Sequence, residues 1–109
     1  MKNLKMLGID LGASSGRGII GSFNGDRLEI AENHRFANEP VMQNGRFCWD
    51  ILRIFHEIKN SIRKTVLDDE DIASIGIDTW GVDYGFLDKN GHLIANPVHY
   101  RDRRTENIQ

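Results

Sequence analysis

An apolar run from Leu4 to Leu11, closing on the carboxylate of Asp10 and passing at once into the glycine- and serine-rich GASSGRG, constrains the fold of this chain more than any other stretch. Interrupted only by Lys5 and Gly8, the run has the pattern of a strand buried on both faces. Gly12, Gly16 and Gly18 then call for a tight turn whose backbone can approach another group closely. Gly18 to Phe23 resumes with the β-branched pair Ile19 and Ile20, and Asn24-Gly25 follows as a hairpin signal. Arg27 to Phe36 alternates loosely, offering Leu28, Ile30 and Phe36 to one face. Three antiparallel strands are therefore predicted to open the fold.

Past a polar stretch containing Pro40 and Asn44-Gly45 the period changes. Ile51, Phe55, Ile58 and Ile62 fall on one helical stripe, with Arg53, Glu57, Asn60 and Lys64 away from it. Asp50 suits the N-cap, and Arg63 and Lys64 suit the negative end of the helix dipole. This helix is expected to cover one face of a sheet and to carry no chemistry. Asp68 to Asp71 reads as a solvated acidic connector. Ile72 to Asp78 reads as a short buried strand ending in a second carboxylate. Gly85 to Leu87 is strand-like, Asn90-Gly91 turns the chain, and Leu93 to Tyr100 returns as an extended segment interrupted by Pro97. The fold class is α/β: three strands, a helix, then strands that extend the sheet.

Composition excludes several function classes. With 28% charged residues and a formal net charge of −2 over 109 residues, no global field favours nucleic acid or an anionic membrane. Cys48 is the only cysteine, so an internal disulfide and a cysteine-rich zinc site are out of reach, and it reads as a packed small hydrophobe rather than a reactive thiol. His34, His56, His92 and His99 are scattered and form no metal box. The N-terminus lacks a signal-peptide pattern, and no run approaches the roughly 18 apolar residues of a membrane span, so a cytoplasmic location is expected. The closing YRDRRTENIQ has charge and helix-forming potential but neither a core segment nor a Gly or Pro stop, and reads as a truncation.

Three constellations carry possible chemistry. In Asp10 to Arg17, two strands joined by a short Gly/Ser turn can aim several backbone N–H groups at a phosphate, with Ser14 and Ser15 adding hydroxyls. Asp10 is placed to hold Mg²⁺, which prefers carboxylate, water and phosphate oxygens. An ordinary glycine-rich hairpin with a capping Asp explains the same residues. A Walker loop is absent, since Arg17 follows Gly16 with no Lys-Ser/Thr in register. Gly16, Gly18 and Gly21 match GxGxxG, yet no helix follows them. In Gly76 to Asp88, the strand end Asp78-Thr79 followed by Trp80, Gly81, Asp83 and Tyr84 offers a flat apolar face beside polar groups, as sugar sites do; core aromatics beside a turn would look the same. In Tyr100 to Arg104, three arginines around Asp102 suit either a phosphate, a wall of the sugar site or a solvated loop.

Taken in order, IDLGASSGR, SIGIDTWGVDYGFLD and PVHYRDRR resemble the N-terminal part of the FGGY carbohydrate kinases, over nearly the whole chain. DLGASSGR is shared with the wider actin, hexokinase and heat-shock ATPase class, whereas the Trp-Gly-Val-Asp turn resembles the family members acting on rhamnulose. The resemblance implies a ribonuclease H-like (actin-like ATPase) domain of which residues 1–109 form the incomplete N-terminal part. It implies transfer of the ATP γ-phosphoryl group to the 1-hydroxyl of L-rhamnulose; the sequence does not reveal the oligomeric state, and a monomer is the expectation. By motif, Ala13, Ser14, Ser15, Gly16 and Arg17 would bind ATP and Asp10 would attend Mg²⁺, while Gly81, with Trp80 and Asp83 beside it, would contact the sugar. The family's proton-accepting aspartate lies downstream and has no counterpart here, so the segment alone is expected to be inactive. Kinases for fuculose, xylulose or glycerol, and a non-catalytic sugar and ATP sensor, are the competing expectations.

Overall fold

The computed structural model describes residues 3–68 and 71–105; residues 69–70 of the acidic connector and the last four residues of the charged C-terminal stretch, 106–109, lie outside them. The described elements follow in the order β1 (Leu4–Leu11), β2 (Ser15–Phe23), β3 (Leu28–Ala37), β4 (Val41–Gln43), β5 (Arg46–Cys48), α1 (Ile51–Asp68) and β6 (Ser74–Thr79), with a short 3₁₀ helix at Arg103–Thr105. The main sheet has the order β3-β2-β1-β6, and β4 and β5 form a separate hairpin. The antiparallel opening and the following helix match the expected order.

Local signals account for most of the turns. Asn24 accepts the N–H groups of Asp26 and Arg27 on its side-chain oxygen, and Gly25 takes a φ of 98° that favours glycine. Asn44 and Gly45, with φ of 53° and 77°, form the two-residue turn that joins β4 to β5. This hairpin departs from the expected order, in which the stretch is only a polar connection between the third strand and the helix.

One face of the sheet is covered by α1, and there Leu7, Ile9, Leu11, Phe36, Trp49 and Ile54 form the core. Packing on this face is close: a Cβ on Gly18 would lie 1.9 Å from Ser61 Oγ of α1, and one on Gly16 would lie 2.2 Å from the Phe36 ring of β3. Both glycines are thus demanded by packing. The opposite face is open, with Leu28, Ile30 and Leu4 exposed, so β1 is buried on one face only. β6 is an edge strand exposed throughout, not the buried strand that its apolar run suggests, because α1 lies over β1, β2 and β3. Beyond β6 the sheet gains no further strand among the described residues. Gly85 to Leu87 and Leu93 to Tyr100 contribute isolated bridges only, Leu87 with Leu93 and Val98 with Cys48.

A bulge in β3 corrects the expected face of that strand. Gly18 pairs with His34 but Ile19 pairs with Glu32, which leaves Asn33 as an extra residue. One inserted residue exchanges the faces beyond it, so Leu28 and Ile30 face outward while Phe36 enters the core. Asn33 and His34 consequently both meet α1. Asn33 donates to Thr65 Oγ1 at 2.8 Å and accepts from Ser61 Oγ at 3.3 Å, and His34 lies 3.7 Å from Glu57.

The same polar seam turns α1 away from its apolar stripe. Its buried residues are Ile54, Glu57, Ser61 and Thr65, while Phe55 is exposed and Glu57, expected outside, is buried. Burial raises the Glu57 pKa, but the Asn60 amide together with the charges of Arg53, His34 and His56 outweighs it and holds the carboxyl below its ordinary value. Asp50 caps the helix by accepting the Arg53 N–H, and Asn96 accepts the Ile51 N–H. The helix runs to Asp68 without a basic residue in its last turn, so Arg63 and Lys64 do not serve its terminus.

Candidate functional site

The parallel pairing of β1 with β6 places Asp10 opposite Asp78 and Leu11 opposite Thr79. Side chains alternate along a strand, so Asp10, Asp78 and Arg17, the antiparallel partner of Asp10 on β2, share the face opposite α1. Arg17 Nε lies 3.5 Å from Asp10 Oδ2, and Arg17 Nη2 donates to Ser15 Oγ at 3.3 Å. The Asp78 carboxyl is within hydrogen-bonding reach of Asp10. That contact, more than burial or the Asp10 charge, raises its pKa, while the Arg17 charge acts in the opposite direction.

The turn between β1 and β2 is shorter than its glycine content suggests. Gly12, Ala13 and Ser14 make the turn, and Ser15, Gly16 and Arg17 already belong to β2. Gly12 N–H donates to Ser15 O, and the Asn38 side chain donates to Gly12 O, fixing the loop from within and from the residue that follows β3. The amides of Ala13 and Ser14 donate no hydrogen bond among the described residues. Gly16 faces the core against Phe36, on the side of the sheet away from Asp10 and Arg17.

Beside this loop, Leu11, Thr79, Trp80, Asp83, Tyr84 and Trp49 contribute to a cleft of about 240 Å³. Its floor is an aromatic stack: Trp49 lies between Trp80 and His99, each ring centroid 3.9 Å away. Trp49 is fully buried; its Nε1–H donates to Asp83 Oδ2, which also accepts the Tyr100 N–H at 3.2 Å. Trp80 and Asp83 thus stand at the same end of the sheet as Asp10 and the turn. Gly81 is exposed, and a Cβ there would meet nothing within 4 Å. Tyr84 is exposed and packs edge-on against Phe86.

The Tyr100 to Arg104 segment has a structural anchor. Asp102 is buried, accepts the N–H groups of Phe47 and Arg104 at 2.7 and 3.0 Å, and lies 3.7 Å from Arg46. The Phe47 bond leads in lowering its pKa. It ties the segment around Asp102 to the β4–β5 hairpin, while Arg101 lies over the Tyr100 ring.

Trp49 and His99 are absent from the sequence-derived candidates. A tryptophan directly before the N-cap Asp50 is the only local cue to the first, and it signals packing rather than a site. His99 accepts the Arg101 N–H on Nδ1, which leaves the proton of the neutral ring on Nε2. Burial lowers its pKa below the ordinary 6.5, with the Asp83 charge opposing and the Arg101 charge assisting. The unfolded chain therefore takes up this proton first. Stability is unaffected above pH 6.5 and falls as pH drops from there through the folded-state pKa. His99→Phe is expected to flatten the fall in the urea midpoint between about pH 7 and 5, followed by tryptophan fluorescence; an unchanged slope would assign the fall to other groups.

Residues 5–109 match the model of the FGGY family of carbohydrate kinases, N-terminal domain. The rhamnulokinase of Mannheimia succiniciproducens is 44% identical over 110 residues, covering 99% of this chain and 23% of that protein. Those of Halalkalibacterium halodurans and Bacteroides thetaiotaomicron are 42% and 45% identical, covering 94% and 89% of this chain and 22% and 20% of their own. The chain thus spans about a fifth of the length of these curated relatives. Among solved structures, the gluconate kinase from Lactobacillus acidophilus superposes with a TM-score of 0.73 at 18% identity, over 94% of this chain and 20% of that one. The xylulose kinase from the same organism gives 0.68 at 19%, over 86% and 19%. These likenesses show the fold, which is ribonuclease H-like.

Proposed function

Because the chain belongs to the FGGY family of carbohydrate kinases, we propose that it forms the N-terminal part of the first actin-like domain of an enzyme that phosphorylates L-rhamnulose at its 1-hydroxyl with ATP. The observation that carries this is the β1–β6 pairing: it sets Asp10 beside Asp78 and the Gly12–Ser14 turn beside the Trp80–Asp83 cleft. The groups assigned here to phosphate and to sugar thus lie at one end of the sheet, which supports the reading. The substrate rests on the Trp80-Gly81-Val82-Asp83 turn and on the rhamnulokinases among the relatives. A 6-deoxy ketose brings a methyl group suited to the Trp80 face and hydroxyls suited to Asp83.

The residues fit MgATP. The unused amides of Ala13 and Ser14 are phosphate donors, the Ser14 and Ser15 hydroxyls lie next to them, and the Arg17 guanidinium adds positive charge; Gly16 keeps the loop seated by admitting Phe36 beneath it. Asp10, its side chain 42% exposed, and the crowded Asp78 supply the carboxylate oxygens that Mg²⁺ prefers. When bound, Mg²⁺ neutralises charge on the transferring phosphoryl group. This chain's own residues hold the phosphates and, through Gly81, Trp80 and Asp83, orient the sugar. The proton of the 1-hydroxyl passes to a base outside these residues, so the segment alone is expected to be inactive. A cytoplasmic site of action belongs to the same proposal; no helix among the described residues is long and apolar enough to cross a membrane.

The test is a coupled ADP-release assay on the full-length protein with MgATP and L-rhamnulose, L-fuculose, D-xylulose or glycerol. Turnover of rhamnulose should exceed the others by at least about tenfold in kcat/KM, the discrimination that one or two pocket contacts supply. Equal or better turnover of another sugar would sink the substrate assignment. Absence of turnover would favour a sensor that binds without transferring phosphate.

A further inference from the structure

Resting on the sugar-kinase function proposed above, we infer that Trp49 is a positioning residue for the sugar site, holding Asp83 through its indole N–H so that one carboxylate oxygen is committed and the other is left for a sugar hydroxyl. Asp83 Oδ2 accepts both the Trp49 Nε1–H, at 2.5 Å, and the Tyr100 N–H. Oδ1 carries no hydrogen bond from the described residues, and Asp83 lines the cleft with Trp80 and Thr79. A carboxylate with one oxygen fixed by two donors has lost its rotational freedom before any ligand arrives, so a hydroxyl meeting the other oxygen bears little of the ordering cost.

Trp49 is itself held firmly enough to perform this. It is fully buried, its backbone N–H donates to Pro97 O at 2.9 Å, and its ring is clamped between Trp80 and His99. Asp50, the next residue, caps α1, so the start of the helix fixes where the indole stands. The same ring supports Trp80 from beneath. Trp49 therefore orders Trp80 and Asp83, two of the three residues assigned to the sugar contact, from a position about 30 residues earlier that no local motif connects to them.

The test is a double-mutant cycle in the full-length protein: Trp49→Phe, which keeps a stacking ring and removes the N–H, Asp83→Ala, and the two combined. Trp49→Phe is expected to raise the sugar KM about tenfold, the loss of roughly one well-oriented hydrogen bond to a charged group. kcat should stay within about threefold and the ATP KM should not change, since the contact lies on the sugar side. In the Asp83→Ala background the Trp49 substitution should add nothing further, because its effect runs through that carboxylate. Full additivity, an unchanged sugar KM, or an equal rise in the ATP KM would overturn the inference. Should Trp49→Phe fail to fold, benzothienylalanine at position 49, which keeps the ring size and lacks only the N–H, gives the same comparison.

Each comparison uses whichever of the four sugars the wild-type protein turns over, so a different substrate would sink the rhamnulose assignment and leave this cycle in force. If the wild type turns over none, sugar binding by calorimetry replaces KM. Weaker binding by Trp49→Phe then supports the positioning role, and equal binding, or no binding by the wild type, overturns it.

Discussion

Trp49→Ala is expected to destabilise the folded protein by about 3–5 kcal/mol, the cost typical of truncating a large aromatic in a packed interior. Trp49 is 0% exposed and joins three segments: Trp80 stacks on one face at 3.9 Å, His99 on the other, and Asp83 accepts its N–H. Truncation would open a cavity between the rings and also strand a carboxylate that loses one of its two donors. Urea unfolding followed by far-UV circular dichroism checks this. The midpoint should fall sharply with the slope unchanged, because the unfolded surface stays the same. A loss below about 1 kcal/mol, the scale of an ordinary surface change, would show that the stack does not hold the 80–83 and 97–100 segments in place.

Asp10→Asn is expected to lower kcat of the full-length enzyme by about 10²–10³, the range for removing one preorganised electrostatic contact to a transferring group. The substitution keeps the shape of the side chain and removes its charge, which is what a Mg²⁺-associated carboxylate contributes. Its structural cost should be small. The Arg17 contact is 3.5 Å long and partly solvated, of a kind worth about 0–1 kcal/mol, and removing one of two adjacent carboxylates relieves the crowding that raises the Asp78 pKa. The variant should therefore unfold at a midpoint close to the wild type while losing activity, and higher Mg²⁺ should restore little. Activity within about threefold of wild type would remove Asp10 from the cation site; a larger loss in Asp78→Asn would transfer the role to its neighbour.

The candidate site was legible in part. Asp10, Trp80 and Asp83 stand out because a carboxylate at the end of an apolar run, or an aromatic beside glycine and aspartate, is unusual within a few residues. The meeting of the two segments is not legible, since nothing local connects Leu11 to Thr79 until β1 and β6 pair in parallel. The turn also read as longer than it is: Gly16 and Gly18 resemble loop glycines by composition, whereas Phe36 and Ser61 require them inside a strand. Trp49 was invisible for the same reason, its partners Trp80, Asp83 and His99 lying far along the chain.

By itself the sequence determined β1 from Leu4 to Leu11, the antiparallel opening, the turns at Asn24-Gly25 and Asn90-Gly91 and the start of α1 at Asp50. Each depends on the dihedral preferences and hydrogen bonds of residues within one turn of one another. Only the tertiary structure decided which faces are buried. The bulge at Asn33 exchanges the two sides of β3, sending Leu28 and Ile30 outward and Phe36 inward, and the polar seam it creates rotates α1 so that Glu57 is buried and Phe55 exposed. Periodicity counts apolar residues along one element, whereas burial is settled by the partner that arrives from elsewhere in the chain.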